Sequence, residues 1–161
     1  TRIRPACPTA ELHLFSGAVT YGAHGAAREA KMLPVLEKAA SMSAEGVVLR
    51  DPVQKSDLAR ELAMARVLLY RGDPGESFCL AVGEAQASGL PAGVMDIGCV
   101  AERVIHGKTG YVVDDDAAFA DSAVELLTDE SQWYLQSRAA LASQREWTWD
   151  KAAAEFEDLV A

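Results

Sequence analysis

The chain has 161 residues, of which half are hydrophobic and 24% are charged, a composition typical of a globular domain that buries a core. Its formal net charge of −9 argues against nucleic acid and against an anionic membrane surface as partners. The sequence has no apolar run of about 18 residues, so no membrane segment is expected. Cys7, Cys79 and Cys99 lack metal-type spacing, and an odd number of cysteines fits a reducing, cytoplasmic location.

Strand and helix patterns alternate along the chain. Residues 1–9 contain two prolines and are predicted to lack regular structure. Pro34 should kink or restart the helix that contains it, and Ser56 should cap the next helix. We predict strands at 10–15, 46–50, 66–70, 92–95 and 111–113, and helices at 26–42, 56–65, from about 77 to a cap at Gly89, 117–128, 130–143 and 149–160.

This order predicts an α/β fold, a Rossmann-like, doubly wound parallel sheet with helices on both faces. Ligands of such sheets bind beyond the carboxyl ends of the strands. Arg50 and the loops 72–77 and 96–100 all follow predicted strands, so they should lie along one rim. The three aspartates at 114–116 are interpreted as a solvated loop that caps the next helix rather than as a metal site.

The most informative stretch is Glu76-Ser-Phe-Cys-Leu-Ala-Val-Gly-Glu84, with two carboxylates eight residues apart. Eight helical residues rise about 12 Å, more than the roughly 5 to 9.5 Å between carboxylates that act on one glycosidic bond. Such spacing suits a long ligand with hydroxyl-rich ends and an anion between them, the shape of a sugar nucleotide, with the anion at the helix N-terminus. Spacing alone is weak evidence, because Glu29 and Glu37 are also eight apart and solvated surface carboxylates are common.

The longer pattern is more specific. After Glu84 come Ala-Gln-Ala-Ser-Gly-Leu-Pro91, Asp96-Ile-Gly98, Glu102, Gly107-Lys-Thr-Gly-Tyr-Val-Val113 and Trp147-Thr-Trp-Asp150. From about residue 10 to residue 161 the chain resembles the nucleotide-sugar half of GT-B glycosyltransferases. The nearest group is the retaining family four (group 1), whose hallmark is E-x(7)-E. The resemblance implies a nucleotide diphosphate sugar as donor substrate and neither a cofactor nor a bound metal ion.

The resemblance also implies roles for individual residues. Glu76 would be catalytic, facing the transferred sugar, binding its hydroxyls and stabilising positive charge at the anomeric carbon. Glu84 would accept hydrogen bonds from the ribose. Cys79 stands where the family more often has glycine, at a close approach to the ligand. The donor phosphates would be bound mainly by backbone amides, those of Ser77, Phe78, Cys79 and Leu80.

Two further segments fall in the same comparison. Arg50 and Val53 match the family's base-binding segment, although Asp51 replaces the usual glycine, and an exposed Arg50 without a role is equally compatible with the sequence. The glycine-rich segment 16–25, which includes Gly17, would lie near the donor cleft; otherwise it is a flexible surface loop.

We therefore expect residues 1–161 to form a single C-terminal donor-binding domain, a fragment without the first strand–helix unit and without the N-terminal acceptor domain, and inactive in transfer by itself. Alternatively the sheet closes differently, through an open edge that pairs two copies of the chain. The rival functions are a non-catalytic nucleotide-sugar-binding or assembly module and a sugar-nucleotide epimerase of the UDP-N-acetylglucosamine type. The E-x(7)-E string followed by Gly-Leu-Pro disfavours the epimerase.

Overall fold

The computed structural model describes residues 2–15, 26–146 and 148–159. The chain divides into two compact units, unit 1 (Ile3–Leu58) and unit 2 (Ala59–Ala161). In chain order the elements are α1 (Ile3–Ala6), β1 (Leu12–Phe15), α2 (Ala26–Ser41), β2 (Val47–Arg50), α3 (Lys55–Met64), β3 (Leu68–Tyr70), α4 (Leu80–Ala87), β4 (Ala92–Met95), β5 (Gly110–Val113), α5 (Asp116–Thr128), α6 (Glu130–Arg145) and α7 (Trp149–Asp158). Short 3-10 helices lie at Ser43–Glu45 and Val100–Arg103.

In unit 1, β1 and β2 pair in parallel, and α2 packs against β2. Pro34 lies inside α2, which continues to Ser41. Of the two predicted effects of this proline, the restart of the helix is wrong, and the kink stays a prediction. The prediction that residues 1–9 lack regular structure is wrong at α1. Pro5 lies in the first turn of this helix, where a residue needs no backbone N–H for an intrahelical hydrogen bond. The Ser56 cap is also wrong, because the helix begins one residue earlier, at Lys55.

Unit 2 contains a parallel sheet in the order β3-β4-β5. All four residues of the central strand β4 are buried, as expected for a parallel strand with neighbours on both edges and helices packed against it. The helices α4 and α5 both contact β4, and α6 contacts both of these helices. The prediction of an α/β fold built on parallel strands flanked by helices is confirmed.

One hydrophobic cluster joins the start of α4 to the sheet and to the 3-10 helix Val100–Arg103. Full burial of a valine side chain, such as those of Val82, Val94 and Val100, stabilises the fold by about 1.5–3 kcal/mol. The loops after β3 and β4 are therefore anchored on both sides by core packing. The buried members are Cys79, Val82, Ala92, Val94, Val100 and Val104.

The C-terminal helices begin at side-chain caps. The Asp115 carboxylate accepts the N–H groups of Ala117 and Ala118, each at 2.8 Å, so the predicted capping by the aspartate run is confirmed. Thr148 caps α7 by accepting the Lys151 N–H at 3.2 Å. Among the described residues, no helix combines the length and apolarity needed to cross a membrane.

Candidate functional site

The loops that leave β3 and β4 lie against each other at the carboxyl end of the sheet. Gly98 has φ +66, and a Cβ at this position would clash with the Asp73 carbonyl oxygen. The Cys99 N–H donates to the Glu76 carbonyl oxygen at 3.3 Å. Within unit 2 the structure thus brings 72–77 and 96–100 together on one rim, as predicted.

Glu76 is fixed in this loop by hydrogen bonds to its side chain. The Tyr70 hydroxyl donates to Oε2 at 2.9 Å, and the Cys79 N–H donates to Oε1 at 3.0 Å. The Tyr70 hydrogen bond and then the Cys79 N–H lower the pKa of Glu76, and the N–H groups of Phe78 and Ser77 lower it further. Glu76 is therefore an ionised carboxylate held in one orientation at neutral pH.

Tyr70 is the donor in this arrangement and remains one over the physiological range. Burial raises the pKa of the Tyr70 hydroxyl, and the hydrogen bond to the Glu76 carboxylate raises it further. Tyr70 was predicted only as the last residue of a strand and not as a site residue. The signal was a single aromatic residue with a polar tip at the end of an otherwise aliphatic strand, six positions before Glu76.

Cys79 connects the loop to α4 in a left-handed conformation, with φ +55 and ψ 70. It is the one non-glycine residue with positive φ among those that the structure describes. This conformation favours glycine for steric reasons, independent of any ligand. Burial raises the pKa of its thiol, which is only 2% exposed, so the side chain acts as a core residue and not as a nucleophile.

The left-handed residue also changes where the helix begins. The helix α4 begins at Leu80, three residues later than the predicted start at Ser77, because a residue with positive φ ends the helical path. Glu84 is the fifth residue of α4 and is half-buried. The 12 Å estimate does not apply, since residues 76–79 are not helical.

The other predicted phosphate-binding residues lie at the surface of the loop. Ser77 is exposed, Phe78 is 50% exposed, and Leu80, the first residue of α4, is 63% exposed. Arg103 places its guanidinium carbon 4.4 Å from the centroid of the Phe78 ring. Arg103 was not among the predicted site residues, because no local spacing links position 103 to position 78.

Arg50 and Val53 belong to unit 1. The Arg50 guanidinium carbon lies 5.4 Å from the Phe15 ring centroid, and its Nη1 lies 3.2 Å from the His13 Nδ1. Val53 follows β2 and is 39% exposed. Gly17 lies outside the described residues, so the predicted role of the segment 16–25 is not tested.

Comparison with known proteins gives the family. Residues 18–129 match the protein-family model described as "Glycosyl transferases group 1", and the chain belongs to this family. A D-inositol 3-phosphate glycosyltransferase of Xylanimonas cellulosilytica is 33% identical over 117 residues, which cover 71% of this chain and 28% of that protein. An N-acetyl-alpha-D-glucosaminyl L-malate synthase of Bacillus anthracis is 38% identical over 79 residues, or 48% of this chain and 20% of the relative.

Solved structures agree on the fold. A pneumococcal O-GlcNAc transferase in complex with UDP and GlcNAc matches 99% of this chain and 31% of its own, with TM-score 0.72 and 17% identity. Sucrose-phosphate synthase from Thermosynechococcus elongatus matches 99% of this chain and 40% of its own, with TM-score 0.73 and 22% identity. These likenesses show the fold of the GT-B glycosyltransferases. The chain spans 20% to 28% of the length of the first two curated relatives.

Proposed function

We propose that this chain forms the donor-binding part of a retaining glycosyltransferase and that it binds a nucleotide diphosphate sugar at the segment from Glu76 to Glu84. The observation that carries the proposal is the fixed carboxylate of Glu76, held by Tyr70 and by the Cys79 N–H directly before α4. Transfer to an acceptor would be the activity of a longer protein, since the chain spans only a part of its relatives.

Glu76 is suited to bind sugar hydroxyls. An ionised carboxylate offers about four acceptor positions. Tyr70 and the Cys79 N–H take one on each oxygen of Glu76, and a sugar hydroxyl would replace the smaller contributions of the Phe78 and Ser77 N–H groups. Because its orientation is set before any ligand arrives, little rotamer freedom remains to be lost on binding. A fixed negative charge at this position would also stabilise positive charge at the anomeric carbon during transfer.

The phosphates have a matching position at the start of α4. The first N–H groups of a helix have no intrahelical acceptor, and the helix dipole favours an anion at this end. Leu80, the first residue of α4, lies at the surface of this segment. The Cys79 N–H already donates to Glu76, so a phosphate would have to share that amide with the carboxylate or bind one residue further along.

Glu84 would bind the ribose. It lies on α4 beyond the helix start, so that its carboxylate follows the phosphate position along the direction of a sugar nucleotide. One structural neighbour was crystallised with UDP and GlcNAc. Another, an Anabaena protein in complex with UDP-glucose, matches 78% of this chain and 34% of its own, with TM-score 0.62 and 17% identity. Both support a UDP-sugar as the donor. The family assignment favours a transferase over the epimerase alternative.

Isothermal titration calorimetry of the 161-residue chain tests this proposal. The ligands are UDP, UDP-glucose, UDP-N-acetylglucosamine, GDP and GDP-mannose, each titrated into the wild type and into Glu84→Ala. We expect a uridine ligand to bind best. The substitution should cost about 1.5–3 kcal/mol, as for a lost hydrogen bond to a charged group, or roughly 10- to 150-fold in Kd.

The matched control is Glu155→Ala, which removes the same charge from an exposed position on α7. This variant should bind the nucleotide as the wild type does. If no nucleotide binds at millimolar concentration to the folded chain, or if both glutamate variants lose affinity equally, the donor-site proposal fails. The non-catalytic assembly module would then be the better interpretation.

A further inference from the structure

We propose that Arg103 is a positioning residue that holds Phe78, and with it the loop 77–79 directly before α4, in the orientation that the donor site requires. The inference rests on the proposed donor site. Arg103 makes three contacts along one side of α4. Its carbonyl oxygen accepts a hydrogen bond from Gln86 near the end of the helix, and its side chain passes Gly83 in the middle. Its guanidinium group lies over the Phe78 ring in the loop before the helix.

The anchor is a buried amide network. Gln86 is fully buried, and its Nε2 donates to the Arg103 carbonyl oxygen at 3.0 Å and to Thr109 Oγ1 at 3.2 Å. Gln144 Nε2, from α6, donates to Gln86 Oε1 at 2.9 Å. Because buried polar groups that are fully paired have few alternative arrangements, the main chain of Arg103 is held at a constant position relative to α4.

The path of the side chain depends on a glycine. A Cβ added at Gly83 would clash with Arg103 Nη2 and would lie 3.6 Å from Arg103 Cζ. Gly83 and Gln86 are three residues apart within α4, which places them on one face of the helix. Glycine at position 83 therefore leaves the space through which the guanidinium passes to the loop.

The contact with Phe78 then restrains the loop. Phe78 is half exposed, so core packing fixes it only in part, and the guanidinium carbon lies 4.4 Å from its ring centroid. Burial raises the pKa of the adjacent Cys79 thiol, and the nearby charge of Arg103 opposes this rise. Loss of the contact should free the peptide groups on either side of Phe78.

Two substitutions remove the contact from opposite sides. Gly83→Ala should fold, because alanine is the better helix former, but its methyl group displaces the guanidinium. Arg103→Met keeps the apolar length of the side chain and removes the charge. The readouts are hydrogen exchange of the amides of residues 77–79, followed by NMR of the 15N-labelled chain, and the Kd for UDP.

Each single variant should speed exchange at 77–79 and weaken UDP binding by about two- to fivefold, the range for a partly exposed cation–π contact. The double variant should show no larger change than either single variant, since both remove one contact. Phe78→Leu removes the aromatic face and should behave like Arg103→Met. Lys108→Met removes the same charge from the turn after the 3-10 helix and should leave both readouts unchanged.

Unchanged exchange at 77–79 in both single variants would overturn the proposal. Faster exchange together with unchanged UDP affinity would also overturn it, because the loop would then be held for a reason unrelated to the donor. Wild-type protein that binds no UDP contradicts the proposed function separately. In that case the exchange rates still decide whether Arg103 holds the loop.

Discussion

The left-handed conformation of Cys79 leads to a quantitative prediction about stability. Replacement of Cys79 by alanine keeps the strained backbone, whereas replacement by glycine relieves it. At a position with positive φ, the backbone strain makes a variant with alanine less stable than one with glycine by about 1–2 kcal/mol. Burial of the alanine methyl group offsets this by about 0.8 kcal/mol. Cys79→Gly should therefore be as stable as Cys79→Ala or more stable by up to about 1 kcal/mol.

Cys99 provides the matched control. It packs against the same hydrophobic cluster but has φ −84, so its backbone is not strained. At such a position alanine is favoured by about 0.4–1 kcal/mol through the entropy of the unfolded chain, and by a further contribution from methyl burial. Cys99→Gly should thus be less stable than Cys99→Ala by about 1–2 kcal/mol. The difference in unfolding free energy between the glycine and the alanine variant should therefore differ by about 2 kcal/mol between positions 79 and 99.

Urea unfolding under reducing conditions, followed by tryptophan fluorescence, measures these differences. All three tryptophans lie in the range of unit 2, so the signal reports on the unit that contains both cysteines. If alanine exceeds glycine in stability by the same amount at both positions, Cys79 is not in the left-handed region. The explanation given for the late start of α4 would then be wrong.

Three further predictions concern single contacts. Tyr70→Phe should raise the pKa of Glu76 in a carboxyl 13C NMR titration, and an unchanged pKa would contradict the assigned hydrogen bond. Because the pKa of Glu76 in the folded chain lies below its ordinary value, ionised Glu76 stabilises the fold at pH values above the ordinary pKa, and this stabilisation is lost as the pH falls through the folded pKa. Gln86→Leu should destabilise unit 2 by about 1–3 kcal/mol or more in urea unfolding, because the Arg103 carbonyl and Thr109 lose a donor and Gln144 loses an acceptor. An unchanged free energy of unfolding would contradict the network. Asp115→Ala should cost about 0.5–2 kcal/mol through the lost cap of α5, and a cost near zero would contradict the cap.

Much of the architecture could be predicted from the sequence. The strands are short apolar runs between turn residues, and β4 has the bounds that were predicted for it. Helices with strong capping signals, such as α5 and α6, also lie within two residues of their predicted ends. These features depend on local propensity and on periodicity, which the sequence displays directly.

The missed features depend on backbone conformation or on distant contacts. The start of α4 at Leu80 depends on the positive φ of the buried residue Cys79, which no local pattern reveals. The contact between Arg103 and Phe78 joins positions far apart in sequence. The roles predicted for Glu76 and Glu84 came from the family resemblance, and they stay predictions until a ligand is bound.

The central claim is that the loop before α4 and the first turns of this helix bind the diphosphate and ribose of a nucleotide sugar. The most direct test is titration of the 15N-labelled chain with UDP, followed by amide chemical shifts. The account predicts saturable shifts concentrated at residues 76–84, with the largest at the start of α4. Saturable shifts confined to other parts of the chain, or no shifts at millimolar UDP, would contradict it.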